Sequence, residues 1–284
     1  MKFDAVFAID WSGAKGGKHK GIAIAEARAD RAPSLLRPGH IWSRIEVADW
    51  LEVQAAREPS LFGFDFSFAP PIAERGEYLP GERGVPDNAR DLWSYVERRS
   101  DDEDLGAASF LEHTHRRHFY FGIADGVKAD FVRFRQCDHR LKHSGGRKTA
   151  SAFDAIGAAQ VAKASFSGMR LLHRLDRSGK VAIWPMDPLR QGGSAVVEIY
   201  TRIYIRAAGL TGKKVRDRRQ LNLALAGLGS PPWTGRTPLD DHKTDALITA
   251  AGMRHFLRSE PDAFAPPGLT AQLARTEGWT FGVV

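Results

Sequence analysis

The stretch FDAVFAIDWSGAKGGKHKGIAIAEA, residues 3–27, decides how this chain is read. Residues 3–9 are apolar with β-branched and aromatic content, the pattern of a buried strand. That run stops on an acid, Asp10. Residues 12–18 form a glycine-rich turn, and residues 20–27 read as a second strand. A phosphate-cradling Walker loop does not fit. It needs G-x-x-x-x-G-K-[ST], whereas Gly13 and Gly17 stand one residue too close and His19 replaces the hydroxyl. The turn also leads into a strand-like run and not into a helix N-terminus that could face a phosphate. Ser12 and Lys15 match the S-x-x-K pattern of penicillin-binding enzymes, but the S-D-N and K-T-G companions are missing. Asp10 therefore either bonds backbone N–H groups in the turn or projects from a sheet end into a cleft.

Working outward, residues 40–45 read as a third strand and residues 46–57 as a helix, with Val47, Trp50, Leu51 and Gln54 on one side. Residues 61–66 (LFGFDF) read as another strand, again with an acid, Asp65, at its end. The first 70 residues thus spell β-β-β-α-β. Residues 71–178 carry few strand-like runs and many charges, and residues 87–99 and 151–175 read as helices. Strands return at 179–184 and 195–199, followed by helices at 215–227 and 242–258. The reading is an α/β chain: residues 1–70 and 179–284 form two parts of one core, and residues 71–178 a helical, basic insertion.

If the strands ending in Asp10 and Asp65 are neighbours, their carboxylates point at one spot. Like charges raise one another's pKa, and a divalent cation removes that cost. In DDHKTDALITAAG (240–252), Asp241 and Asp245 are four apart and His242 and Asp245 three apart, so they share a helix face. The competing reading makes Asp240 or Asp241 an N-cap and Asp245 a first-turn acid. Glu198, on an apolar strand, either faces the same cleft or pairs with Arg202 or Arg206.

The segments AIDWSGAK (8–15), FGFDFSFAPP (62–71), WPMD (184–187), VVEIYTR (196–202) and DDHKTDALITAAG (240–252) resemble the ribonuclease H-like superfamily and its RuvC-like branch. They are most similar to a family of predicted RNase H-like nucleases catalogued as domain of unknown function four hundred and twenty-nine. The resemblance implies a mixed five-stranded sheet flanked by helices, with a carboxylate cluster at its active edge. It makes Asp10 the first-strand acid and the ligand shared by two metals, Asp65 the fourth-strand acid, and Asp245 the last-helix acid. Asp241 or His242 would support Asp245, and Glu198 would be the late strand acid. The expected activity is hydrolysis of DNA or RNA by two Mg²⁺ or Mn²⁺ ions. The alternatives are an inactive nucleic-acid-binding module of the same fold and a sugar-kinase-like phosphotransferase. The last needs a second glycine-rich hairpin, for which QGGSAVVEIY (191–200) is the candidate.

The 284-residue chain is 43% hydrophobic with a net charge of +7, which favours a polyanionic partner. Residues 113–150 hold nine Lys or Arg, three Asp and five His with interleaved aromatics. Lys15, Lys18, Arg116, Arg117, Arg133, Arg135, Arg147, Lys148, Lys213 and Lys214 are the candidate nucleic-acid contacts. The competing reading makes the aromatics core and the charges a solvated surface. His113, His115, His118, Cys137 and His139 fit no standard zinc spacing. With one cysteine, Cys137, no intramolecular disulfide forms. No apolar run reaches 18 residues, and MKFDAVFAID lacks signal-peptide features, so the expectation is a cytoplasmic protein with no membrane span.

Overall fold

β1 (Ala5–Asp10) alternates between two cores, as a period of two demands. Phe7 and Ile9 enter one apolar cluster, and Val6 and Ala8 enter the other. The computed structural model describes residues 2–143, 149–157, 161–210 and 215–284. β2 (Ala23–Ala27) and β3 (Ser34–Leu35) extend β1 as an antiparallel meander. β4 (Ser60–Phe64) runs parallel to β1 on its other side, followed by β6 (Ala195–Glu198) and β5 (Ala182–Ile183). The result is a six-stranded mixed sheet in the order β3-β2-β1-β4-β6-β5.

The count differs from the expected five because the 179–184 run contributes a two-residue edge strand. The third strand also lies earlier than expected, at Ser34–Leu35. Residues 40–45 instead hold one isolated bridge, His19 to Trp42, and then Ser43 caps a helix. Ser43 and Glu46 form a reciprocal capping box, which the sequence S-R-I-E encodes. The helix is α1 (Arg44–Arg57), which buries Val47, Leu51 and Gln54 as the spacing predicts.

The other helices are α2 (Ala89–Arg98), α3 (Gln136–His143), α4 (Val161–Ser178), α5 (Thr201–Ala207), α6 (Arg218–Gly227), α7 (Asp241–Ser259) and α8 (Ala271–Arg275). α4 is described from Val161, and residues 151–157, read from sequence as its start, are turn and bend with an Asp154–Tyr120 bridge. Among the described residues no helix is long and apolar enough to cross a membrane.

The sheet's two faces differ in side-chain size. One carries Phe7, Ile9, Phe62 and Phe64, and α1, α2 and α4 cover it, sharing one core with Phe110, Phe119 and Phe153. The basic middle of the chain is therefore partly a core layer. The other face carries Val6, Ala8, Ala25 and Leu61 beneath α7. Small residues let α7 lie close: a Cβ built on Gly63 would stand 2.6 Å from both Met253 Sδ and Ile199 Cγ2. Real Cβ atoms do not tolerate that approach, so glycine at 63 sets the depth of α7 against β4.

Candidate functional site: an acidic cleft at the strand ends

The β1–β4 register pairs Ile9 with Phe64, so the next residues, Asp10 and Asp65, leave the sheet side by side. Asp65 N–H still donates to Ile9 C=O at 3.1 Å, which fixes this position. Asp10 has the parity of Val6 and Ala8 and so faces the α7 side of the sheet. Asp240 caps α7, its carboxylate accepting from Lys243 N–H at 2.9 Å. The first two turns of α7 then bring Asp241, His242 and Asp245 over the same cleft, which encloses about 710 Å³ and is also lined by Glu198, Arg202 and Thr280.

His242 Nδ1 hydrogen-bonds Asp10 Oδ2 at 2.7 Å, with the imidazole about half exposed. That bond, with the Asp10 charge, outweighs burial and raises the His242 pKa. Asp241 lies 3.6 Å from the exposed Arg216. Of the two candidates for a supporting role, His242 is the one bonded to Asp10. Asp65 opens partly to the cleft and is walled in by protein elsewhere. Burial first, then the charges of Asp10, Asp245 and Glu198, push its carboxyl well above the usual carboxylate range.

Glu198 is handled differently. It is buried, and Arg135 grips it bidentately at 2.5 and 2.6 Å. Phe68 N–H and Thr280 Oγ1 donate to the same carboxylate at 2.9 and 2.6 Å. Its partner is Arg135 and not Arg202 or Arg206. Arg135, expected to contact nucleic acid, is itself buried between Glu198 and Asp138, so its donors point into the protein. Nothing in the sequence spacing marks this pair, which lies 63 residues apart.

The glycine-rich turn after Asp10 is held by buried Arg44. Its guanidinium donates to Ser12 C=O at 2.9 Å, Ala14 C=O at 2.5 Å and Asp104 C=O at 3.0 Å. Burial lowers its pKa to about 10. Asp104 is nearly buried and bonds His19 at 2.9 Å. A Cβ on Gly13 would meet the Lys163 backbone carbonyl carbon at 2.2 Å, so only glycine lets the turn rest on α4.

Lys15 and Lys18 are mostly exposed and pair with Glu112 at 2.6 Å and Glu46 at 2.7 Å. Arg116 pairs with Asp125 at 2.6 Å and stacks over Phe121, Arg117 meets Glu82, and Arg133 donates to backbone carbonyls. Arg147, Lys148, Lys213 and Lys214 lie outside the described residues. Phe119 and Tyr120 are buried, so neither offers a face for base stacking.

The histidine-rich segment does not converge on Cys137. That thiol is buried, which pushes its pKa up to about 12, and His139 turns instead to Glu74. His115 and His118 do meet, with Glu82 as the third member that sequence reading missed. Their ligand atoms lie within 4.8 Å of one another, so the three could hold a metal ion. Burial is the leading cause that lowers both histidine pKa values, which favours neutral, ligating imidazoles.

No protein-family model, no curated protein and no solved structure matches the chain.

Proposed function

We propose that the cleft at the ends of β1 and β4 hydrolyses phosphodiester bonds of DNA or RNA with bound Mg²⁺ or Mn²⁺. The observation that carries this reading is the convergence of Asp10, Asp65 and Asp245, from three separate elements, on one cleft where Asp65 meets the charges of the other two. The antiparallel β1-β2-β3 meander with β4 and β6 parallel to β1 supports the ribonuclease H-like resemblance, with β5 as an added edge strand. The kinase-like alternative is not favoured. After the 191–193 turn, β6 pairs in parallel on both sides, so it forms no glycine-rich hairpin.

The donor set fits hard cations. Carboxylate oxygens suit Mg²⁺ and Mn²⁺, and cations would relieve the repulsion that, after burial, raises the Asp65 pKa. When bound, two such ions supply an activated water and charge neutralisation at the scissile phosphate. Asp10, Asp65 and Asp245 would hold them. His242 orients the Asp10 carboxylate through its 2.7 Å bond. Glu198, locked by Arg135, forms the fixed floor beneath, and Arg202 at the cleft wall is placed to meet a phosphate oxygen.

The test is Mn²⁺ calorimetry on wild type, Asp10→Asn and Asp65→Asn, each checked for folding by circular dichroism, with cleavage of single- and double-stranded DNA and RNA assayed in parallel. Binding should vanish in both variants, and cleavage should fall by roughly 10²–10³-fold or more. Mn²⁺ binding that survives both substitutions would remove these acids from any metal site. Salt-sensitive nucleic-acid binding without cleavage in wild type, persisting in Asp10→Asn, would establish the inactive binding module instead.

A further inference from the structure

We propose that Glu82, His115 and His118 form a second metal site of the zinc class, separate from the acidic cleft, that clasps the turn around residues 79–82 to the 110–118 segment. The argument starts from His115. It is 4% exposed, and its Nδ1 is buried with no hydrogen-bond partner. Glu82 Oε1 lies 3.7 Å away, too far for a hydrogen bond. If Nδ1 carries a proton, that proton is wasted in the interior. If it carries a lone pair, the lone pair faces a carboxylate. With the ring proton on Nε2, facing Tyr95 Oη, a cation between Nδ1 and the carboxylate gives both a partner.

The spacing suits a metal. Ligands about 2.0–2.1 Å from a tetrahedral Zn²⁺ stand about 3.3 Å apart. Glu82 Oε1 lies 3.7 Å from His115 Nδ1 and 3.0 Å from His118 Nε2. The opposite nitrogen of His115, Nε2, bonds Tyr95 Oη at 3.1 Å. A second hydrogen bond of this kind fixes the ring and the tautomer of a ligating histidine. Phe110 packs on the same ring at 4.5 Å between centroids.

Local backbone explains why His115 points inward. Phe110–Thr114 is a π-helical turn, closed by His115 N–H donating to Phe110 C=O at 2.9 Å. The extra residue in that turn rotates His115 away from the face a regular helix would give it. A following 3₁₀ turn, Arg116–His118, then returns His118 to the same point.

Two imidazoles and one carboxylate select Zn²⁺ over Mg²⁺, and three protein donors leave a fourth position for water. Arg117 now stands at the mouth, its Nε 2.9 Å from Glu82 Oε1 and 3.3 Å from His118 Nε2. Its side chain is 62% exposed, so it can leave for solvent when a cation enters.

The experiment is Zn²⁺ calorimetry and Co²⁺ absorption spectroscopy on the full chain. Wild type is compared with His118→Gln, Glu82→Gln, Arg117→Gln and Asp10→Asn. One equivalent of Zn²⁺ should bind, Co²⁺ should show intense tetrahedral bands, and Tm should rise by about 5 °C at a hundredfold excess over Kd. Affinity should fall about 100-fold or more in His118→Gln and Glu82→Gln, and tighten several-fold in Arg117→Gln. It should be unchanged in Asp10→Asn, which separates this site from the acidic cleft. His118 and Glu82 lie near the surface, so their variants should fold even where a buried His115 variant does not. Failure of folded wild type to bind Zn²⁺ or Co²⁺, or tetrahedral Co²⁺ bands and tight binding that persist in a folded His118→Gln, Asp10→Asn double variant, would overturn the proposal.

Discussion

The acidic cleft and the Glu82–His115–His118 cluster are built in opposite ways. The cleft gathers oxygen donors from the ends of two parallel strands and the first two turns of a long helix, all regular elements whose register fixes the side chains. The cluster gathers mostly nitrogen donors from a loop, a π turn and a 3₁₀ turn. Regular elements brought distant acids together and left a wide opening of about 710 Å³. Irregular turns packed three side chains within 4.8 Å of one another. The first donor set is oxygen-rich, as hard cations prefer, and the second is nitrogen-rich, as zinc-class cations prefer.

Within the cleft the same contrast recurs between two acids on neighbouring strands, and four substitutions test it. Arg135→Met should have the largest effect, because it strands Glu198 as a buried, unpaired charge. The expected loss is about 3–5 kcal/mol in urea unfolding at pH 7, and a loss below about 1 kcal/mol would mean that Glu198 does not depend on Arg135. Gly63→Ala comes next: the added methyl pushes Met253 and Ile199 and so lifts α7 from the sheet, at a cost of about 1–3 kcal/mol. It should also weaken Mn²⁺ binding, since Asp245 rides on α7. Unchanged Mn²⁺ affinity would show that the depth of α7 does not set the cleft.

Asp65→Asn should do the reverse of Arg135→Met and stabilise the metal-free protein at pH 7, by something of order 1 kcal/mol. The sign follows from the raised folded-state pKa. The native state binds the proton more tightly than the unfolded chain, so stability falls as pH rises from about 3.9 through the folded value. The asparagine should flatten that slope, as should Mn²⁺. A slope unaltered in Asp65→Asn would assign the effect to another group.

His242→Gln should be the smallest, a few tenths of a kcal/mol for a half-exposed pair. Its stabilising contribution is present below pH about 6.5 and is lost as pH rises through the raised folded pKa. A difference from wild type that grows above pH 8 would refute the Asp10–His242 pairing as its source.

Much of the cleft was legible before the fold. Asp10 and Asp65 each end an apolar run, and period-two alternation with parallel pairing puts such ends together. Asp245 was legible from its helical spacing to Asp241 and His242, while the cap at Asp240 belonged to the competing reading. Glu198 reads as a strand acid that either faces the cleft or pairs with Arg202 or Arg206; it lines the cleft, and its partner Arg135 was not legible because that pairing depends on how the 119–143 segment folds across the sheet end. The third strand was misplaced because His-Ile-Trp-Ser-Arg-Ile has β-rich composition, while the capping box at Ser43 and Glu46 took its second half into α1. The middle segment's aromatics were read both as core and as stacking surface. Phe119 went to the core because the sheet face bearing Phe7, Phe62 and Phe64 had to be covered, with Phe121 packed against the same core.

The amino-acid sequence by itself determined the α/β alternation, the acids at the ends of β1 and β4 and the polar face of α7, because these rest on local periodicity and on caps within a few residues. Only the tertiary structure decided which charges are neutralised and which are left facing one another. Arg135 with Glu198, Arg44 with the turn after Asp10, and Glu82 with His115 and His118 are contacts between segments 30 or more residues apart. Their free energy depends on desolvation at the site of contact, and no spacing along the chain encodes that.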